Sequence, residues 1–86
     1  MLTVFEVVLD AARDRAHPLL SEETVQETSA QTMTLDEAKA LGIGDFGAPP
    51  PGREKVLVAV NARDARWIQR ALEANAAVTG YKIHEG

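Results

Sequence analysis

Two short apolar segments constrain the fold of this 86-residue chain more than any other feature. Residues 2–9 and 55–60 are rich in valine and leucine, and β-branched side chains favour extended strands. Apolar residues occupy almost every position of both segments, so each strand is apolar on both faces. Glu6 is the exception, because it interrupts one apolar face of the first strand. The sequence therefore predicts two strands that are buried on much of both faces.

A short helix is predicted by a capping box. The Thr34 side chain can accept a hydrogen bond from the Glu37 amide, while Glu37 reaches back to the Thr34 amide. A helix over residues 35–41 follows, and Gly42 can end it in a left-handed conformation.

A longer helix is predicted over residues 62–77, with Asn61 as its cap. Its apolar residues recur every three or four positions, which is typical of a helix that buries one face. After a break at Thr79 and Gly80, residues 81–84 alternate as a last strand.

Residues 21–33 carry conflicting signals. Ser21 followed by two glutamates is typical of a helix start. The threonines and the valine that follow favour a strand, and no helical apolar stripe is present. We predict a polar, edge-like strand over residues 24–32, with a helix as the alternative.

The order of predicted elements is β-β-α-β-α-β, which indicates an α+β class. Residues 1–86 are predicted to form a single small domain with a four-stranded sheet, and one long and one short helix pack on one face of that sheet. By element order alone, this sandwich resembles ferredoxin-like or ACT-like domains.

Composition excludes several classes of protein. The chain is 45% hydrophobic and 26% charged, which is ordinary for a soluble globular protein. It has no cysteine, so disulfide scaffolds and thiolate metal sites are excluded. The net charge of −4 argues against nucleic-acid binding. No apolar run is long enough for a membrane span, and the first residues lack the basic region of a signal peptide. We expect a cytoplasmic protein without a cofactor.

Three polar residues are candidates for catalysis or metal binding. A buried carboxylate at Glu6 needs a partner, for which Lys55 or Lys82 is suitable. His17 and His84 are far apart in sequence and show no metal-ligand spacing, so both are predicted to be ordinary surface residues. No nucleophile motif is present, and we expect that the protein is not an enzyme.

A row of arginines lies on the predicted long helix. Arg63, Arg66 and Arg70 share one helix face, and such a row can contact an anion or an acidic partner. The simpler interpretation is a solvated helix face. Trp67 lies beside this row, either in the core or as an anchor in an interface.

With both helices on one face, the other face of the sheet is predicted to expose an apolar patch, and such patches mark interaction surfaces. The predicted interface contains Leu2, Val4, Glu6, Val8, Leu57, Ala59 and Trp67. The expected partner is a second copy, forming a homodimer, or another protein. The leading hypothesis is a noncatalytic intracellular interaction module, and the alternative is a small-molecule-sensing regulatory domain.

Overall fold

Four strands and three helices make up the computed structural model, which describes residues 2–14, 16, 18–44 and 46–85. In chain order the elements are β1 (Leu2–Asp10), α1 (Glu22–Glu27), β2 (Gln31–Met33), α2 (Leu35–Ala40), β3 (Arg53–Asn61), α3 (Ala65–Glu73) and β4 (Val78–Glu85). A short 3₁₀ turn, Ala62–Asp64, precedes α3. The α+β class and the four-stranded sheet are confirmed.

The sheet is antiparallel throughout, with the strand order β2-β3-β1-β4. The two apolar segments predicted as strands are β1 and β3, and they pair with each other along their whole length. Strands that are apolar on both faces are best placed inside a sheet with both faces covered. The short, polar β2 and the exposed β4 form the two edges.

One face of the sheet carries the larger core. Phe5, Val7 and Leu9 of β1 meet Ile68 and Leu72 of α3 there. The same cluster includes Leu20, Ala30, Val58 and Val60. We call this face, which α3 and the residues flanking α1 cover, the major face.

The opposite face is covered by α2 and by the loop after it. Val4, Leu57 and Ala59 pack beneath Ala38 of α2, and Phe46 packs against the same cluster. The prediction that the helices pack on one face is therefore wrong, because α2 lies on the other side of the sheet. The physical reason is that β1 and β3 are apolar on both faces, so the second face of the sheet must also be buried. We call it the minor face.

The predicted strand over residues 24–32 is wrong for its first part, because residues 24–27 belong to the helix α1. The Ser21 side chain accepts a hydrogen bond from the Thr24 amide at 3.1 Å and caps α1. The Thr28 hydroxyl donates to the Thr24 carbonyl at 2.7 Å, so these threonines bond locally instead of in a strand ladder. Only Gln31–Met33 forms the edge strand.

The long helix is shorter than predicted. Asn61 makes no capping hydrogen bond, and the Asp64 carboxylate accepts from the Ser29 amide and hydroxyl at 3.3 and 3.1 Å. The helix therefore begins at Ala65. It ends at Glu73, because the Asn75 side chain accepts from the Ala77 amide and forms a turn. The last strand accordingly begins at residue 78 rather than 81.

The Thr34 cap and the Gly42 stop of α2 are confirmed, although the helix ends at Ala40 and the Glu37 carboxylate accepts from the Thr34 hydroxyl at 3.2 Å rather than from the Thr34 amide. The Thr34 side chain accepts from the Glu37 amide at 3.1 Å. At the other end, the Ile43 amide donates to the Ala38 carbonyl and the Gly42 amide to that of Lys39. This Schellman pattern requires a left-handed residue, and Gly42 has a φ of +73°.

Replacing Gly42 with alanine tests this helix end. Nothing lies within 4 Å of an added Cβ, so the cost is purely one of backbone conformation. We expect Gly42→Ala to lower the free energy of unfolding by about 1 kcal/mol. Gly80→Ala is the matched control, because Gly80 also has open space but no left-handed φ. Equal effects of the two substitutions in urea unfolding would contradict this account.

Candidate interaction site

A charge cluster lies on the minor face where β1, β3 and β4 run side by side. The Glu6 carboxylate is 2.9 Å from Lys55 Nζ and 2.9 Å from His84 Nε2. The predicted pairing of Glu6 with Lys55 is confirmed. Lys82 lies opposite Glu6 in the β1–β4 register, but among the described contacts His84 is the partner on β4.

Lys55 connects this cluster to the loop that follows α2. Its ammonium donates to the Phe46 carbonyl at 2.9 Å and to the Gly47 carbonyl at 3.3 Å. Together with Glu6, these are three acceptors for the three donors of a lysine. The Phe46 and His84 rings also contact each other edge to face, with their centroids 4.9 Å apart. The cluster therefore holds the loop against the minor face.

The ionisation of Glu6 follows from its surroundings. Partial burial raises the pKa of Glu6, but hydrogen bonds from Lys55 and His84, together with their charges, outweigh burial. The net result is a pKa of Glu6 below its ordinary value. Because an ionised carboxylate only accepts hydrogen bonds, Nε2 of His84 is the donor in this pair.

A groove of about 610 Å³ lies beside the cluster, between β4 and the loop. Its walls are largely apolar, and its volume falls within the range of small-molecule sites. The groove is lined by Leu2, Val4, Gly42, Ile43, Gly44, Phe46, His84 and Glu85. Since Nε2 of His84 is bound to Glu6, only Nδ1 is left to contact a molecule in the groove.

A carboxylate–imidazole pair can serve in acid–base chemistry when a nucleophile stands next to the imidazole. Among the described residues, no hydroxyl is recorded in contact with His84. The same residues also contain no group of three side chains suited to a metal ion. His17, the other histidine, lies outside the described residues.

A second groove, on the major face, lies where β1 and α3 end and has a volume of about 600 Å³. Its polar groups already have partners within the chain. The Asp10 carboxylate accepts from the Ala12 amide, and Arg13 pairs with Glu54. Asn75 donates to the Leu19 carbonyl. These contacts leave little polar chemistry for a ligand.

The apolar patch predicted on the open face is only partly present. Val4, Leu57 and Ala59 are buried beneath α2 and the loop, so these three side chains are not exposed to a partner. Leu2 is 45% exposed and Val8 is partly buried. The part of the minor face that α2 does not cover carries charged and polar groups from β4.

The arginine row and Trp67 lie on α3 and its preceding turn, away from the charge cluster. Arg63, Arg66 and Arg70 are exposed, and Arg63 is 3.8 Å from the neighbouring Asp64. Trp67 is 45% exposed and is not part of either core cluster. The structure therefore does not bring these four residues together with the predicted sheet interface.

The free edge of β4 is a feature that the sequence analysis missed. β4 pairs with β1 on one side, and no strand in the described part of the chain pairs with its other side. Ile83 of β4 lies on the major face and is 43% exposed. Alternation over residues 81–84 predicts a strand, but alternation alone does not say whether that strand has one neighbour or two.

Comparison with protein-family models, curated proteins and solved structures finds no match to this chain. Within the residues that the structure describes, no helix is long and apolar enough to cross a membrane.

Acid titration of the unfolding free energy tests the Glu6 cluster. The pKa of Glu6 in the folded state is below its ordinary value of 4.5. Its contribution to stability is therefore complete above that ordinary value and is lost as the pH falls through the lowered pKa. We expect Glu6→Gln to flatten this part of the pH profile in urea unfolding. The control is Glu27→Gln, at an exposed position on α1, which should leave the slope unchanged.

Proposed function

We propose that this chain is a noncatalytic, cytoplasmic protein-interaction module that self-associates through the free edge of β4. One observation carries the proposal: an eight-residue strand whose outer edge is not paired in the described chain. An edge strand presents a row of unpaired amides and carbonyls, which is a template for pairing with another strand.

The two edges of the sheet differ in how they are protected. β2 is three residues long, and short edge strands offer little to pair with. β4 is longer, contains no proline, and is irregular only near its start, where its register against β1 shifts between Val8 and Leu9. From Tyr81 to Glu85 the register is continuous. This regular stretch supports β4 as the interacting edge.

A noncatalytic role is supported by the state of the charge cluster. The lowered pKa of Glu6 is the opposite of the raised pKa that suits a carboxylate general base. Lys55 is also engaged by three acceptors. These groups hold the loop and the sheet together.

The ferredoxin-like analogy is also a proposal. If α2 is set aside, the remaining elements follow the order β-α-β-β-α-β, with α3 and the residues flanking α1 on one face. This order supports the analogy. α2, inserted between β2 and β3 on the minor face, departs from it.

Self-association is tested by light scattering after gel filtration over a wide range of protein concentration. We expect a dimer that dissociates on dilution, and we expect Ile83→Asp to shift it to monomer, because strand pairing at this edge would remove part of the carboxylate's contact with water. Leu41→Asp is the matched control, since Leu41 is 69% exposed at the end of α2. A wild-type protein that is monomeric at every concentration would remove the proposal.

A small-molecule sensor is the second candidate, and the groove beside His84 favours it. If this function is correct, a compound from a metabolite library should raise the melting temperature of the wild-type protein. His84→Phe keeps an aromatic ring but removes Nδ1, so we expect it to reduce that shift, whereas Arg70→Gln on α3 should not. A library that gives no shift would exclude the sensor.

A further inference from the structure

We infer that the outer side of α3 is a docking site for a short acidic segment of another protein. We call this surface the arginine face, and it consists of Arg63, Arg66, Trp67 and Arg70, all of which are exposed. No residue of β4 belongs to it, so the docking site is independent of the proposed self-association.

Helical spacing brings the arginine face together on the side of α3 that points away from the sheet. Ile68 and Leu72 of the same helix are fully buried in the core of the major face. Arg66 and Arg70 are one turn apart, about 6 Å along the helix axis at 1.5 Å per residue. An open groove of about 460 Å³ lies at this turn, lined by Arg66, Trp67, Arg70 and Ala71.

The positive charge of the arginine face is not neutralised within the described part of the chain. Among the described residues, Arg66 and Arg70 make no ion pair, and Arg63 has only the neighbouring Asp64 at 3.8 Å. A planar guanidinium can bind a carboxylate through two parallel hydrogen bonds. The surface is therefore complementary to a partner that presents carboxylates one helical turn apart.

Trp67 gives the arginine face an apolar centre. Its side chain is 45% exposed, belongs to neither core cluster, and contacts no other aromatic ring among the described residues. Tryptophan and arginine are both enriched among the residues that dominate the energy of protein interfaces. A partner that fits this surface therefore carries an apolar side chain between its carboxylates.

Carboxylates on both sides of the arginine face limit the size of the partner. Asp64 accepts from Ser29, which lies close to β2, and Glu73 accepts at 3.4 Å from Tyr81 of β4, at the opposite edge of the sheet. The face itself is two helical turns long, about 10 Å. Residues 1–52 carry nine acidic and three basic side chains, which repel a long polyanion such as a nucleic acid. A short acidic polypeptide segment fits this narrow strip.

Fluorescence of Trp67 tests the docking site, because this is the single tryptophan of the chain. The probe is a helical peptide of about 16 residues in which pairs of glutamates four positions apart flank leucines. We expect this peptide to shift the Trp67 emission to shorter wavelength in a saturable titration, since the indole loses contact with water. A matched peptide with glutamine in place of every glutamate should give no shift. Binding should weaken as salt is added, because exposed charges are screened.

Two charge-removing variants separate a specific site from a general effect of net charge. We expect Arg66→Gln with Arg70→Gln to weaken binding of the acidic peptide about tenfold, the sum of two exposed ion pairs. The matched control is Arg53→Gln with Lys82→Gln, which removes the same charge at exposed positions outside α3 and should bind as the wild type does. Equal weakening in the two double variants would overturn the docking site.

Three further results would also overturn it. The first is an acidic peptide that gives no shift of the Trp67 emission. The second is single-stranded oligothymidylate that binds more tightly than the peptide at the same salt concentration, which would assign the face to nucleic acid. The third is an emission shift that depends on protein concentration alone and is lost in the Arg66 and Arg70 double variant, which would assign the face to a second copy.

Discussion

The position of β1 between β3 and β4 is the constraint on which the rest of the structure depends. β1 is apolar on both faces, and its side chains contribute to both core clusters. A strand of this kind is stable only where both faces are covered, so the short chain must place helices on both sides of the sheet. α3 and the residues flanking α1 cover the major face, and α2 with its following loop covers part of the minor face.

Glu6 is the one charged side chain in the interior of this central strand, whose last residue is Asp10. Its environment shows how the minor face tolerates a partly buried charge. A carboxylate that leaves water is costly unless charged and hydrogen-bonding groups surround it. Lys55 on β3 and His84 on β4 supply those groups from both neighbouring strands. Lys55 also binds the loop carbonyls, so the neutralisation of Glu6 and the covering of the minor face depend on the same lysine.

The remaining unsatisfied surface of the sheet is concentrated at β4. α2 covers the side of the minor face next to β3, whereas the side next to β4 is left to polar groups. In the part of the chain that the structure describes, no strand pairs with the outer edge of β4, and an unpaired edge presents free amides and carbonyls. The proposed self-association therefore rests on this strand edge and not on an apolar sheet face.

The sequence by itself determined the local features: the two apolar strands, the capped α2 and its glycine stop, because each depends on neighbouring residues and on backbone preference. The need of Glu6 for a lysine partner was also predictable from the cost of burying charge. Only the tertiary structure decided that α2 lies on the minor face and that His84 joins Glu6. These outcomes depend on strand order and on which element covers which face, and contacts between residues distant in sequence set both.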